Sequence, residues 1–151
     1  MTETDGAHVR FRIGEPLDLP AIYALERQYM ADIEPDDLDG WVRATDRNLR
    51  LWIENLERTV VAEDDGQLIG YQMWTPQDAT ATLITINVVP ARRRHGLGRQ
   101  LLDRYIHDAR TAGHDTLTLG VHENNPARTL YEKAGFHQIG TTGSYLLYEL
   151  H

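Results

Sequence analysis

Arg93-Arg94-His95-Gly96-Leu97-Gly98 follows an apolar run, Leu83 to Val89, and leads into Leu97, Leu101, Leu102, Tyr105, Ile106, Ala109 and Ala112 at helical spacing. The run reads as a central β-strand, with Ile84, Ile86 and Val88 on one face and Thr85 and Asn87 on the other. The spaced residues read as a helix with one buried face that ends near Gly113. A strand-to-helix junction rich in glycine and arginine predicts an anion cradle. Glycines let the backbone approach a ligand, and the unpaired N–H groups of the first helical turn point at it. The junction is not a Walker A loop, because the only lysine of the chain is Lys133. Nor is it a dinucleotide fingerprint, because the third glycine of G-x-G-x-x-G falls on Leu101.

Composition narrows the ligand. A chain of 151 residues suits one domain, 1–151, with a single core. No apolar run approaches a membrane span, and residues 1–8 carry no signal pattern. Without cysteine there is neither a disulfide framework nor a thiol nucleophile, and a cytoplasmic location is the default expectation. The net charge is −8, and 16 of the 23 acidic residues but only 7 of the 15 basic ones lie in the first 66 positions. The remainder is close to neutral, with Arg92, Arg93, Arg94 and Arg99 gathered at the junction. Such a balance disfavours a nucleic-acid partner and favours a small polyanion.

Periodicity and turn residues give the order β-α-α-β-β-β-α-β-α-β-β. His8 to Ile13 is a strand, and Asp18 caps a helix whose inner face carries Ile22, Leu25 and Tyr29. An acidic loop from Asp32 to Asp39 precedes a helix expected over Trp41 to Leu56. Thr59–Glu63 and Gln67–Trp74 form a hairpin through Asp64-Asp65-Gly66, and Pro76 to Thr80 is a further turn. Thr116–Val121 is the strand after the junction helix, expected to run parallel to Leu83–Val89. Asn125 caps the next helix with Pro126 in its first turn and Gly135 at its end, before a closing hairpin at Thr142-Gly143-Ser144. The result is an α/β fold with a mixed sheet and helices on both faces.

Arg93, Gly96 and Gly98 resemble the acyl-coenzyme A turn of the GCN5-related N-acetyltransferase (GNAT) family, Gln/Arg-x-x-Gly-x-Gly/Ala. Asn125-Pro126-Ala127-Arg128-Thr129-Leu130-Tyr131-Glu132-Lys133-Ala134-Gly135-Phe136 resembles the family's later segment, an Asn, a short helix bearing a Tyr, then Gly-Phe. The two segments occur in the family's order, and the resemblance covers roughly residues 60 to 150. It implies a mostly antiparallel sheet whose central parallel pair splays near Val89 and Val121 to hold acetyl-CoA. Backbone N–H groups of Arg94, Gly96, Leu97, Gly98 and Arg99 would bind the pyrophosphate, with charge from Arg93 and Arg94. Val88, Val89 and Asn125 would meet the pantetheine arm, which pairs with strand backbone much as an added strand would.

The implied reaction is N-acetyl transfer by direct attack on a primary amine of a small molecule or peptide. An amine with a pKa near ~10.4 costs about 4.6 kcal/mol to deprotonate at pH 7, so a base or a desolvating site is expected. Many relatives place a glutamate on the strand before the turn, where this chain has Thr85 and Asn87. Neither can be a base at neutral pH, and both are read as orienting a relay water or the substrate. His122 and Glu123, at the end of the following strand, are the candidate bases. Tyr131 matches the family's acid, and a strand N–H near Val88 would face the oxyanion. The missing strand glutamate also motivates an alternative, a non-catalytic acyl-CoA-binding sensor. The acidic segment Asp32–Asp39 suggests a cationic acceptor. A homodimer is compatible with these readings. His107, His114, His137 and His151 show no metal-ligand spacing, and no metal is expected.

Overall fold

A computed structural model describes residues 8–151, which build one seven-stranded sheet flanked by helices. In chain order the elements are β1 (Val9–Ile13), α1 (Leu19–Ile33), α2 (Leu38–Arg43), α3 (Thr45–Glu54), β2 (Thr59–Asp64), β3 (Gln67–Gln77), β4 (Thr80–Val88), α4 (Leu97–Thr111), β5 (Thr116–His122), α5 (Arg128–Lys133), β6 (His137–Thr142) and β7 (Tyr145–Leu150). Short 3₁₀ turns precede α1, α2 and β2 and follow β4. The strand order is β1-β2-β3-β4-β5-β7-β6, and every pair is antiparallel except β4–β5. The expected mixed, mostly antiparallel sheet with one central parallel pair is therefore present.

Strand alternation distributes the core to the two faces. Val61, Tyr71 and Met73 pack with Ile22 of α1 and Trp52 of α3. On the other face Val60, Ala62, Ile69 and Val88 meet Leu97 and Leu101 of α4. Leu102, Tyr105 and Ala109 of α4 continue that layer over β5 to Tyr131 of α5 and Tyr148 of β7. The β2–β3 hairpin turns on Asp65 (φ 50°) and Gly66 (φ 82°), the paired positive φ values of a type I′ connection.

Several local expectations change. The helix expected over Trp41–Leu56 is two helices that break at Ala44 (φ −93°, ψ 16°). Thr45 Oγ1 donates to the Val42 carbonyl at 2.6 Å and Asn48 Nδ2 to the Trp41 carbonyl at 3.3 Å, so side chains compete for helical acceptors at the break. The acidic segment is not all loop: Pro35–Asp37 is a 3₁₀ turn and Asp39 lies in α2. The turn expected over Pro76–Thr80 contracts to Asp78 and Ala79 because β3 and β4 pair out to Gln77 and Thr80. The helix after Asn125 begins later than expected: Asn125 Oδ1 accepts the Ala127 N–H at 2.9 Å in the turn before it, and Pro126 precedes α5, whose N-cap is Ala127.

Gln72, on β3, is fully buried, and both its amide atoms lack a hydrogen-bond partner among the described residues. An unpaired buried polar group costs about 1–3 kcal/mol. Gln72→Met, close in volume, is expected to raise stability by about 1 kcal/mol, read as a higher urea midpoint at unchanged m-value. A lower midpoint would show that the amide is satisfied in solution.

Candidate active site

Parallel pairing of β4 with β5 is confined to Thr80–Thr82 against Thr116–Thr118. The closed end is clamped by a 2.9 Å hydroxyl contact between Thr82 and Thr118, and by Tyr105 Oη, which lies 3.0 Å from the Ala81 carbonyl and 3.1 Å from that of Thr118. Beyond it the strands diverge as the resemblance implies, leaving Leu83–Val88 and Leu119–His122 unpaired with each other. Two cavities occupy the wedge. An inner one of about 230 Å³ is lined by Glu26, Glu34, Thr85, His122 and Tyr131 among others. An outer one of about 500 Å³ is lined by Val88, Arg93, Arg94, Gly98 and Leu130 among others. Tyr29, Ile86, Asn87 and Asn125 line both, so the cavities adjoin.

The outer cavity ends at the glycine turn. Arg94 (φ 66°) and Gly96 (φ 84°) adopt left-handed backbone, and Gly96 is the N-cap of α4. These two residues curl the chain so that the first N–H groups of a 15-residue helix open at the cavity. A Cβ on Gly98 would meet only Leu130, at 3.6 Å, which leaves the backbone there approachable. The Val89 N–H donates to the Ile69 carbonyl of β3 at 2.9 Å, and Arg93 Nε donates to the Val88 carbonyl at 2.8 Å. Strand alternation therefore turns the Val88 N–H away from β3, towards the open edge. Val89 faces β3 and does not line the cavity. Leu97 is buried in the core and offers only its backbone; Arg99 pairs with Asp103 at 3.0 Å, and Arg92 with Asp64.

In the inner cavity the structure supplies a group that the sequence reading missed. Glu26 of α1 reaches under β4, where its Oε2 accepts Tyr71 Oη at 2.7 Å and Thr85 Oγ1 at 2.8 Å. Desolvation raises its pKa above the ordinary carboxylate value; hydrogen bonds from Tyr71, Thr85 and Asn87 oppose the shift, and the charge of Glu34 adds to it. Thr85 and Asn87 thus hold a carboxylate delivered from the helix opposite. The signal was present: Glu26 lies four residues after Ile22, placing a charge on the inner face of α1. Tyr131, 5% exposed, faces Glu26 across the wedge lining, and its hydroxyl has no hydrogen-bond partner among the described residues. Burial first, and the Glu26 charge second, hold that phenol above its usual range.

His122 also lines the inner cavity and is 7% exposed. Its Nδ1 lies 3.1 Å from the Asn124 N–H, which can only donate, so Nδ1 accepts and the ring proton sits on Nε2. That tautomer presents a donor and no basic lone pair at Nε2. Glu123 is exposed, lines neither cavity, and uses its N–H on the Ser144 carbonyl at 2.9 Å. Asn125 links the walls: its Oδ1 holds the Ala127 N–H and its Nδ2 donates to Tyr29 Oη at 3.4 Å. Folding also gathers His137, Glu149 and His151 within 4.8 Å of one another, a grouping that sequence spacing does not reveal, and none of them lines either cavity.

The fold that carries this wedge has counterparts among known proteins. The profile of the acetyltransferase (GNAT) family matches residues 20–136. The chain belongs to the GNAT family. A probable N-acetyltransferase of Mycobacterium tuberculosis is 30% identical over 148 residues, covering 90% of this chain and 84% of that one. A ribosomal protein bS18-alanine N-acetyltransferase of Haemophilus influenzae is 35% identical over 82 residues, 54% of this chain and 56% of the relative's length. The PaiA N-acetyltransferase of Thermoplasma acidophilum, solved with coenzyme A, superposes with a TM-score of 0.79 at 22% identity, covering 93% of this chain and 97% of that one, a likeness of fold. This GNAT protein is an acyltransferase that depends on acetyl-CoA. No helix among the described residues is long and apolar enough to cross a membrane.

Proposed function

We propose that the protein transfers an acetyl group from acetyl-CoA to a primary amine by direct attack, with the acceptor in the inner cavity and the donor in the outer one. The observation that carries this reading is Glu26: a desolvated carboxylate, fixed by two hydroxyls, lines the same cavity as an unpartnered tyrosine. The first turn of α4 and the left-handed Arg94 and Gly96 suit a pyrophosphate, and Arg93 and Arg94 add charge beside it. Acetyl-CoA supplies an activated acyl group as a thioester. Glu26 takes the proton of the attacking amine, and its raised pKa brings it nearer to its partner's, which favours proton transfer. The Val88 N–H, on the open edge, is the donor for the carbonyl oxygen as charge gathers there. Tyr131 gives a hydrogen bond to the departing sulfur.

Glu26 supplies a carboxylate whose absence from β4 motivated the alternative of a binding-only sensor, so the catalytic reading is preferred. Asp36, Asp37 and Asp39, against the single cation Arg43, border an open hollow that shares Met30, Trp41 and Tyr145 with the inner cavity, and this net negative lining supports a positively charged acceptor entering from that side. The relatives include enzymes named for a ribosomal-protein alanine and for mycothiol, so acceptors differ among similar chains.

Free-thiol release from acetyl-CoA across an amine panel tests the reading, and turnover with no amine above background hydrolysis would reject it. Tyr131→Phe is expected to keep acetyl-CoA affinity and lower kcat by about 10², the low end for acid catalysis, because a thiolate is already a fair leaving group. Unchanged kcat with chemistry rate-limiting would make Tyr131 a packing residue only.

A further inference from the structure

Glu34 follows the last residue of α1 and is only 4% exposed. Tyr29 Oη donates to its Oε2 at 2.6 Å, and Tyr145 Oη donates to its Oε1. Acceptance on both oxygens is the pattern of an ionised carboxylate. The position is electrostatically poor, because α1 directs the negative end of its dipole there. Carboxylate oxygens of Glu34 and Asp37 and a ring nitrogen of His122 also lie within 4.8 Å of one another. Among the described residues no lysine or arginine forms an ion pair with Glu34 or Asp37.

A buried carboxylate with no cation costs stability, and here it lines the cavity assigned to the acceptor. Tyr131, unpartnered and 5% exposed, lines the same cavity, a second group prepared for something the protein does not itself supply. A ligand carrying its own carboxylate would bring a third negative group beside Glu26 and Glu34, in a space of about 230 Å³. An amine without one brings only a positive charge.

We propose that Glu34 is a specificity-determining residue that selects amines carrying no carboxylate next to the reacting nitrogen, and rejects free α-amino acids. This rests on the transfer reading above. Glu34 takes no part in proton transfer; it sets the sign of charge that the inner cavity accepts. Tyr29 and Tyr145 hold it in place, and Tyr29 also touches Asn125, on the wall shared with the donor cavity.

The test compares leucine with leucinamide and isopentylamine, which share the side chain and amine but lack the charge. Wild type is expected to acetylate both carboxylate-free amines with kcat/KM at least tenfold above that for leucine. Glu34→Gln should narrow the leucinamide-to-leucine ratio by at least tenfold while leaving acetyl-CoA affinity unchanged. Asp37→Asn, an exposed change in the same field, should narrow it in the same direction and guards against a folding defect in the first variant. Equal use of leucine and leucinamide by wild type, or a ratio that Glu34→Gln leaves in place, overturns the proposal. If none of the three releases thiol, the transfer reading fails for them, and calorimetric binding of leucinamide against leucine decides selectivity: tighter leucinamide binding that Glu34→Gln abolishes supports it, and equal binding overturns it.

Discussion

Glu26→Gln is expected to lower kcat by about 10³, within the range for general acid–base catalysis, while acetyl-CoA binds as before. Glutamine keeps the side-chain length and can still accept from Tyr71 or Thr85, so the cavity retains its shape while the proton acceptor is lost. The pH profile carries a second signature. Burial raises the pKa of Glu26, so the acid limb of kcat should fall at a pH above the ordinary carboxylate range and vanish in the variant. Stability should move the other way. Between the unfolded carboxylate value and the raised folded value, the native state holds a proton that the unfolded chain has released, so wild type loses stability as pH rises through that window. Glu26→Gln escapes the loss and should be more stable than wild type at neutral pH. Wild-type kcat in the variant, measured where chemistry limits the rate, would transfer the base to another group.

Gly98→Val should weaken acetyl-CoA binding by about 10² to 10⁴ while the protein still folds. Bulk at this position blocks the approach of phosphate oxygens to the first turn of α4, and two lost charge-assisted hydrogen bonds are worth about 3–6 kcal/mol together. The substitution separates binding from folding because a Cβ at Gly98 meets only Leu130, at an ordinary 3.6 Å. Gly96 would confound them, since its φ of 84° strains any other residue. Calorimetry with acetyl-CoA reads the effect, and unchanged affinity in a folded Gly98→Val protein would remove the cosubstrate from this turn.

The sheet and the glycine turn that opens α4 were legible because their signals are local. Alternation over Leu83–Val89, helical spacing after Leu97 and the positions of Gly96 and Gly98 each lie within one stretch of chain. The base was not. Glu26 hydrogen-bonds with Thr85, 59 positions away, and comes from α1 rather than from β4, the strand where the resemblance placed a carboxylate. His122 ends β5 and Glu123 opens the turn after it; one donor from Asn124 fixes the tautomer of the first, and the turn leaves the second exposed to solvent. Neither effect has a sequence signature. The break at Ala44 was hidden for a related reason: Thr45 and Asn48 are acceptable helix residues until their side chains capture Val42 and Trp41 carbonyls.

The split between β4 and β5 puts a raw edge in the middle of a sheet, and raw edges ordinarily invite foreign strands and aggregation. Geometry guards this one. At Thr80–Thr82 the two strands keep ordinary ladder pairing, whose spacing is about 4.8 Å, whereas an intruding peptide needs roughly twice that gap along its whole length. A polypeptide strand would therefore jam before it reached the closed end. A tapering chain with few groups to satisfy can slide in and pair with one side only. The fold thereby keeps an interior edge permanently available to a thin ligand without becoming a seed for amyloid-like stacking, and it needs neither the lysines nor the prolines that protect exposed rims elsewhere.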